Sequence, residues 1–263
     1  MTDRILVDFE SATVSVIDAS GQTTHPLGSA AAFAALSRAW VQSGWEIKYS
    51  YTFSWLGRPV IQLPEDLIRA QEAICQIRPD VVIEAGVAHG GSLVYFASLC
   101  QTLGRGRVIG IDLEIRPANR RALEEHFLSS LITLVEGSST DPAVIERVRS
   151  SLRPDDAVMV FLDSAHDKAH VLAELDAYAD FVSEGSFIVV TDGVMEEVAR
   201  SPRAQPDWAW NNPRAAVREF LVRRGDFALE PPPCPFNESL GLDGQSVTYW
   251  GGGWLRRRKS GPR

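Results

Sequence analysis

Between residues 81 and 192 five short apolar runs recur, separated by four intervals that each hold a polar or glycine-rich break and a longer stretch with apolar positions at helical spacing. The runs lie at 81–85, 108–112, 132–136, 157–163 and 186–191. Continuous apolar runs of this length, rather than alternating ones, are the mark of strands buried on both faces. The spacing predicts helices over 92–103, 117–128, 142–150 and 167–183, with Asp141-Pro142 as a start signal for the third. Strand and helix in alternation predict an α/β fold: a doubly wound, mostly parallel, Rossmann-like sheet with right-handed crossovers.

The flanks read differently. Residues 1–24 alternate weakly, through Ile5, Val7 and Phe9 and then Val14, Val16 and Ile17, which predicts a hairpin turning at Glu10-Ser11-Ala12. Phe33, Leu36 and Trp40 put a helix over 30–43. Residues 49–59 are aromatic and end in a turn signal, a composition suited to packing or to covering a site mouth. Pro64-Glu65-Asp66 opens a helix with Leu67, Ala70, Ile74 and Ile77 on one face. Past the sheet come a Trp-rich loop at 205–212 and a helix over 213–224. Residues 227–229 and 246–251 are expected to form a terminal antiparallel pair. The simplest division is an N-terminal extension or lid (1–60), a cofactor-binding domain (61–255) and a basic tail (256–263).

Composition narrows the class. A net charge of −8 disfavours a nucleic-acid-coating protein, and no apolar run reaches membrane-span length. The three cysteines, Cys75, Cys100 and Cys234, have neither metal spacing nor a disulfide pattern. Cys75 and Cys100 sit in apolar helical patterns and read as buried thiols, which fits a reducing, cytoplasmic setting.

In an open parallel sheet, ligands bind beyond the carboxyl ends of the strands. Those ends carry Glu84, Asp112, Glu136, Asp163 and Asp192. One such acid could simply cap the next helix, but five together call for cationic or hydroxyl-rich partners. The first run continues as Glu84-Ala85-Gly86-Val87-Ala88-His89-Gly90-Gly91-Ser92. Glycines there admit a close backbone approach, and the following helix offers free N–H groups. A nucleotide-type cofactor fits that turn; a tight strand-to-helix turn would use the same glycines. Asp112 is placed to receive ribose hydroxyls, Glu84 to face a cationic end, and Gly137-Ser138-Ser139 to line an adenine edge. The densest cluster is Asp163-Ser164-Ala165-His166-Asp167-Lys168-Ala169-His170. Asp163 with Asp192 makes a hard oxygen pair suited to Mg2+, and His166 is a candidate general base. His170 reads as a helix-surface residue.

These stretches resemble the cephalosporin hydroxylase/rhamnosyl O-methyltransferase family. The similarity runs from about Trp55 to Trp250. It is carried by Trp55-Leu56-Gly57-Arg58-Pro59, the Glu84–Ser92 turn, Gly110-Ile111-Asp112, Asp163-Ser164-Ala165-His166 with Ala173-Glu174-Leu175, Thr191-Asp192-Gly193 and Asn212-Pro213-Arg214. The resemblance implies a class I methyltransferase fold that binds S-adenosyl-L-methionine at Glu84, Gly86, His89, Gly90, Gly91, Ser92, Asp112, Gly137, Ser138, Ser139 and Asp163. It implies Mg2+ on Asp163 and Asp192, with His166 and Asp163 as catalytic residues. The expected reaction is O-methylation of a sugar hydroxyl on a glycosylated natural product or polysaccharide, by a homo-oligomer with a small-molecule or glycan acceptor. The family often has Glu-Asp where this chain has Thr191-Asp192; the missing carboxylate could pass its role to water, Glu196 or Glu197. Two other readings stay open: an NAD(P)-dependent oxidoreductase, through a G-x-A-x-x-G reading of the turn, and a non-catalytic cofactor-binding partner subunit.

Overall fold

Every residue of Val81–Ala85, Val158–Leu162 and Phe187–Val190 is buried, as their unbroken apolar sequences require. They are the middle of a seven-stranded sheet in a computed structural model that describes residues 2–239, 241 and 247–259. In chain order the elements are β1 (Thr2–Asp8), β2 (Thr13–Asp18), β3 (Gly21–Pro26), α1 (Ala30–Glu46), β4 (Phe53–Trp55), β5 (Arg58–Val60) and α2 (Pro64–Ile77). Then follow β6 (Val81–Ala85), α3 (Gly91–Leu103), β7 (Arg107–Asp112), α4 (Pro117–Glu124), β8 (Ile132–Glu136), α5 (Pro142–Ser150), β9 (Val158–Leu162), α6 (Lys168–Tyr178) and β10 (Phe187–Val190). Last come α7 (Pro213–Arg223), β11 (Phe227–Leu229) and β12 (Trp254–Arg257).

The large sheet runs β11-β12-β10-β9-β6-β7-β8. Its five strands from β6 to β10 are parallel, and β12 is antiparallel to both β10 and β11. The order reverses at β6, between β7 and β9, which puts the topological switch point at the glycine turn. One apolar layer packs α2 and α3 against one face of the sheet; a second packs α5, α6 and α7 against the other.

The flanks depart from expectation in four places. Residues 2–26 form a three-stranded meander, not a hairpin, because β3 (Gly-Gln-Thr-Thr-His-Pro) has no apolar alternation to announce it. The terminal pair uses Trp254–Arg257, not 246–251; Val247 to Gly251 is irregular and Ser246 lies outside the described residues. Arg256 and Arg257, read as tail, are ladder residues whose guanidinium groups bond Glu230 and the carbonyls of Gly185 and Val182. Cys75 is exposed on α2, while Cys100 is buried.

Residues 49–55 pack rather than cover. Trp55 stands edge-on to Tyr95 and its indole N–H donates to Ser98 at 3.0 Å, and Tyr49 packs edge-on to Trp40 and Phe53. The next residues cross the site instead: Pro59 to Gln62 line the cleft at the glycine turn. The chain is then tied down by Asp66, buried in the first turn of α2. Its carboxylate accepts the Thr248 hydroxyl and the Tyr249 N–H (2.8 Å). Burial outweighs those bonds and raises its pKa to about 7.

An acid whose pKa is higher folded than unfolded stabilises the fold fully below the unfolded value, and that stability is lost as pH rises through the folded one. Asp66 therefore contributes a decline in stability between about pH 4 and pH 7, of order 4 kcal/mol. Asp66→Asn, which keeps an acceptor for Tyr249, is expected to flatten that part of the stability profile in urea melts from pH 4 to 8. An unchanged slope would show that Asp66 ionises as freely as in the unfolded chain.

Candidate active site

The end of β6 and the end of β9 touch. Asp163 N–H bonds the Ala85 carbonyl at 2.7 Å, and Gly86 N–H bonds the Ile111 carbonyl at 2.7 Å. Gly86 has φ +104°, and a β-carbon there would sit 1.9 Å from the Asp163 carbonyl oxygen. This glycine is required by the chain's own backbone at the switch point. Gly90 and Gly91 are also packing glycines: a β-carbon would meet the Leu123 side chain at 2.7 Å and the Pro59 carbonyl oxygen at 2.1 Å, respectively.

The turn is held from outside by two side chains that sequence reading missed. Arg58, on β5, donates twice to the His89 carbonyl (3.0 and 2.5 Å) and once to Asn119. Asn119 donates to the Ala88 carbonyl at 2.7 Å. Ala88 itself has φ +45°, a left-handed conformation that this clamp secures. With the two carbonyls drawn outward, the N–H groups of Val87 and Ala88 point to one oxygen of Asp112 (2.8 and 3.1 Å). The other Asp112 oxygen takes only a long 3.3 Å bond from Glu114 N–H. Leu113, beside it, is 74% exposed, a bare apolar surface next to the acid. Glu84 is buried under the turn with Ser92 as its donor (2.9 Å); burial and the nearby Asp163 charge hold its pKa well above the usual carboxylate range.

Asp163, His166 and Asp192 converge, with ligand atoms all within 4.8 Å of one another. His166 Nε2 lies 3.3 Å from Asp192 Oδ2. Asp192 reaches the cluster from a left-handed turn (φ 52°) that opens the short 3-10 segment Gly193–Glu196. Asp163 is gripped on both oxygens: Thr191 donates its hydroxyl to one, and Gln62 donates its amide to the other at 2.8 Å. Gln62 is fixed in turn by the Trp250 indole N–H (2.8 Å). Burial and the Asp192 charge push the Asp163 pKa up to about 7, against the opposing effect of His166. Glu196 and Glu197 take no part; both are paired with arginines, Glu196 with Arg214 and Arg218 and Glu197 with Arg214. Glu136 is likewise held outside the site by Arg120 at 2.8 Å, which lowers its pKa.

The loop after β8 is organised from α6. Ser139 is buried and its hydroxyl donates to Glu174 at 2.5 Å, so that hydroxyl faces the protein and not a ligand. Ser164 donates to the same carboxylate oxygen at 2.6 Å, and His170 lies 3.3 Å from it. Tyr178 donates to the Ser139 carbonyl at 2.8 Å. His170 is thus half-buried in a network and not a surface residue; Glu174 raises its pKa. The spacing of His170, Glu174 and Tyr178, four residues apart each time, was the signal for this face. Ser138 stays on the loop with Thr140 as its partner (3.0 Å), and Gly137 takes φ +135° where the chain leaves β8.

A parallel sheet reversed at a glycine turn, an acid one strand over and a carboxylate–histidine cluster two strand ends away define a nucleotide-type cofactor protein of the open α/β class. The particular family follows from comparison: residues 47–258 match the model of the Rhamnosyl O-methyltransferase/CmcI family, and the chain belongs to that family. It is 35% identical over 129 residues to a rhamnosyl O-methyltransferase of Mycobacterium tuberculosis (48% of this chain, 51% of that one). It is 28% identical over 143 residues to one of Mycobacterium leprae (54% and 60%). The chain spans about half the length of the M. tuberculosis relative it matches. Two CmcI structures share the fold at 21% identity over 80% of this chain and 78% of theirs: one with Mg and SAM (TM-score 0.53) and one apo (0.54).

Removing the Glu174 carboxylate would leave the Ser139 and Ser164 hydroxyls without their acceptor. Glu174→Ala is expected to cost about 3 kcal/mol in a denaturant melt. A loss under about 0.5 kcal/mol would show that the network is not holding the two loops together.

Proposed function

We propose that the protein is an S-adenosylmethionine-dependent O-methyltransferase acting on a sugar hydroxyl of a glycosylated natural product or polysaccharide. The observation that carries this reading is the contact between Gly86 and Asp163, which sets a cofactor turn directly against the Asp163–His166–Asp192 cluster. Family membership supports the methyl donor, and the names of the M. tuberculosis and M. leprae relatives support a sugar acceptor. A homo-oligomeric assembly belongs to the same reading.

The residues fit the groups. Glu84, buried with a single hydroxyl donor, suits a cationic partner, and Asp112 keeps one oxygen lightly engaged for ribose hydroxyls. Gly86, His89 to Ser92, Gly137 and Ser138 supply the surrounding backbone. Ser139 contributes its main chain, since its hydroxyl is committed to Glu174. Asp163 and Asp192 are hard oxygen donors with a third ligand atom, on His166, close by, and would hold Mg2+. Thr191 takes the place of a family carboxylate and serves Asp163 as a donor.

When bound, the cofactor supplies a methyl group on a sulfonium, and the metal supplies positive charge that favours an ionised acceptor hydroxyl. The protein's part is alignment and proton removal. Asp163, fixed by Gln62 and Thr191, sets the floor of the site and holds His166 and Asp192 at one place. His166 Nε2 takes the proton of the acceptor hydroxyl, and Asp192 at 3.3 Å stabilises the imidazolium formed. These residues would hold the acceptor hydroxyl in register with the methyl donor, and alignment of that kind supplies much of the rate in a group transfer. The loop at 205–211 closes beside His166, since Asn211 accepts the Lys168 N–H at the start of α6 (2.7 Å).

Formation of S-adenosylhomocysteine from a panel of rhamnosides and other sugars, followed by mass spectrometry, tests the reaction. His166→Ala is expected to lower kcat by about 10²- to 10⁴-fold with little change in cofactor affinity. Full turnover in that variant would remove His166 from the chemistry. No turnover with any acceptor, together with normal cofactor binding, would favour the non-catalytic partner reading.

Metal binding has its own readout. Asp163 is protonated below about pH 7, so protons compete with a cation there. Mg2+ is expected to raise the Tm more at pH 8 than at pH 6, and Asp192→Asn to abolish the rise. An equal rise at both pH values would place the ion elsewhere.

A further inference from the structure

The N-terminal meander has two edges, and they are built differently. The β3 edge is polar throughout, begins with Gly21 and ends with Pro26, which is how natural sheets blunt an edge. The β1 edge carries Ile5, Leu6 and Val7 in sequence, with no glycine or proline, and no strand pairs with its outer side among the described residues. Leu6 is 56% exposed and Val7 38%, although Val7 stands opposite the fully buried Val14. Among the described residues, eight of the fifteen exposed large apolar side chains lie before residue 60, far more than that share of the chain warrants.

The regular part of β1 is short and has a centre. A register shift between Thr2 and Arg4 breaks it on one side. On the other the chain turns at once, with Asp8 accepting the N–H groups of Glu10 and Ser11 (2.9 and 3.0 Å). What remains is Arg4-Ile5-Leu6-Val7-Asp8, five residues centred on Leu6. Laid antiparallel against a second copy about a two-fold axis at Leu6, this stretch is complementary to itself. Arg4 faces Asp8 at both ends, Ile5 faces Val7, and Leu6 faces Leu6. Opposite charges and apolar side chains across a strand pair stabilise it, and like charges there would destabilise it. A two-fold contact requires such self-complementarity.

We infer that β1 pairs antiparallel with β1 of a second copy of this chain, in the register that sets Leu6 against Leu6, to make a continuous six-stranded sheet across a homodimer. The pairing satisfies the open row of backbone groups on the β1 edge and covers the apolar strip beside it. It goes beyond the proposed methyl transfer and does not rest on it.

The test uses the full chain and light scattering coupled to gel filtration. The wild type is expected at an even multiple of the 28.9 kDa subunit mass. Leu6→Asp and Leu6→Lys each put like charges face to face on the axis and are expected to halve that mass. Leu6 is solvent-facing, so the Tm of the main domain and circular dichroism are expected to hold in both variants. Mixing the two variants sets Asp against Lys and is expected to restore the wild-type mass, which a general disturbance of the meander could not do. A monomeric wild type would overturn the inference. So would a Leu6→Asp variant with unchanged mass, or a mixture that stays at half mass.

Discussion

The backbone contact between the ends of β6 and β9 is the constraint on which the site depends. Two parallel strands that end side by side must send their chains in different directions, one into α3 and one into α6. Here they do so in van der Waals contact, with Gly86 against the Asp163 carbonyl. No side chain fits between them. The cofactor turn and the first carboxylate of the candidate reaction cluster are therefore positioned by one another and not by separate supports. The N–H bond of Asp163 to Ala85 and that of Gly86 to Ile111 continue the ladder up to the point where the chains part. Precision at the site is inherited from the sheet.

Around that contact the described residues include three buried carboxylates, Asp66, Glu84 and Glu174, and a half-buried one, Asp163. Glu174 gathers two serine hydroxyls and a histidine and acts as an internal tie between two loops. Asp66 holds the irregular segment before β12 and is driven toward its neutral form. Glu84 has one hydroxyl and no paired cation among the described residues, and burial favours its protonated form. Asp163 has two neutral donors and an acidic neighbour, the same situation at a more open place. The first pair is explained by the fold alone. The second pair is what the proposed function uses: Glu84, Asp163 and Asp192 gather at one switch point, where cationic partners would offset their charge.

Much of this was legible in the residues, and the boundary has physical causes. The five parallel strands, their order of appearance and the acids at their ends follow from runs that must be buried on both faces. Asp141, read as the start of a helix, caps α5, and a capping side chain acts within three residues of itself. What was not legible depends on contacts between distant segments. Gln62 meets Asp163 across 101 positions and Trp250 across 188. The purpose of Gly91 is visible only once Pro59 is known to lie on it. The roles of Glu136, Glu196 and Glu197 turned on which arginines fold against them, and β3 was silent because an exposed polar strand has no periodicity to show.

The same long-range contacts change what the N-terminal extension is. Its later part is bonded into the glycine turn. Arg58 shapes the glycine turn by drawing the His89 carbonyl outward, and Gln62, just beyond the extension, fixes the second oxygen of Asp163. Without these residues the turn would lose the clamp that secures Ala88 in a left-handed conformation, and Asp163 would keep its Thr191 donor but lose the one on its second oxygen. Among the described residues, the first 26 positions make no such contribution; they form a separate sheet over a core of three fully buried residues, Val14, Ala32 and Ala35. So small a core gives that sheet little reason to exist on stability grounds alone. Its one apolar, regular and self-complementary edge supplies a reason that the interior does not.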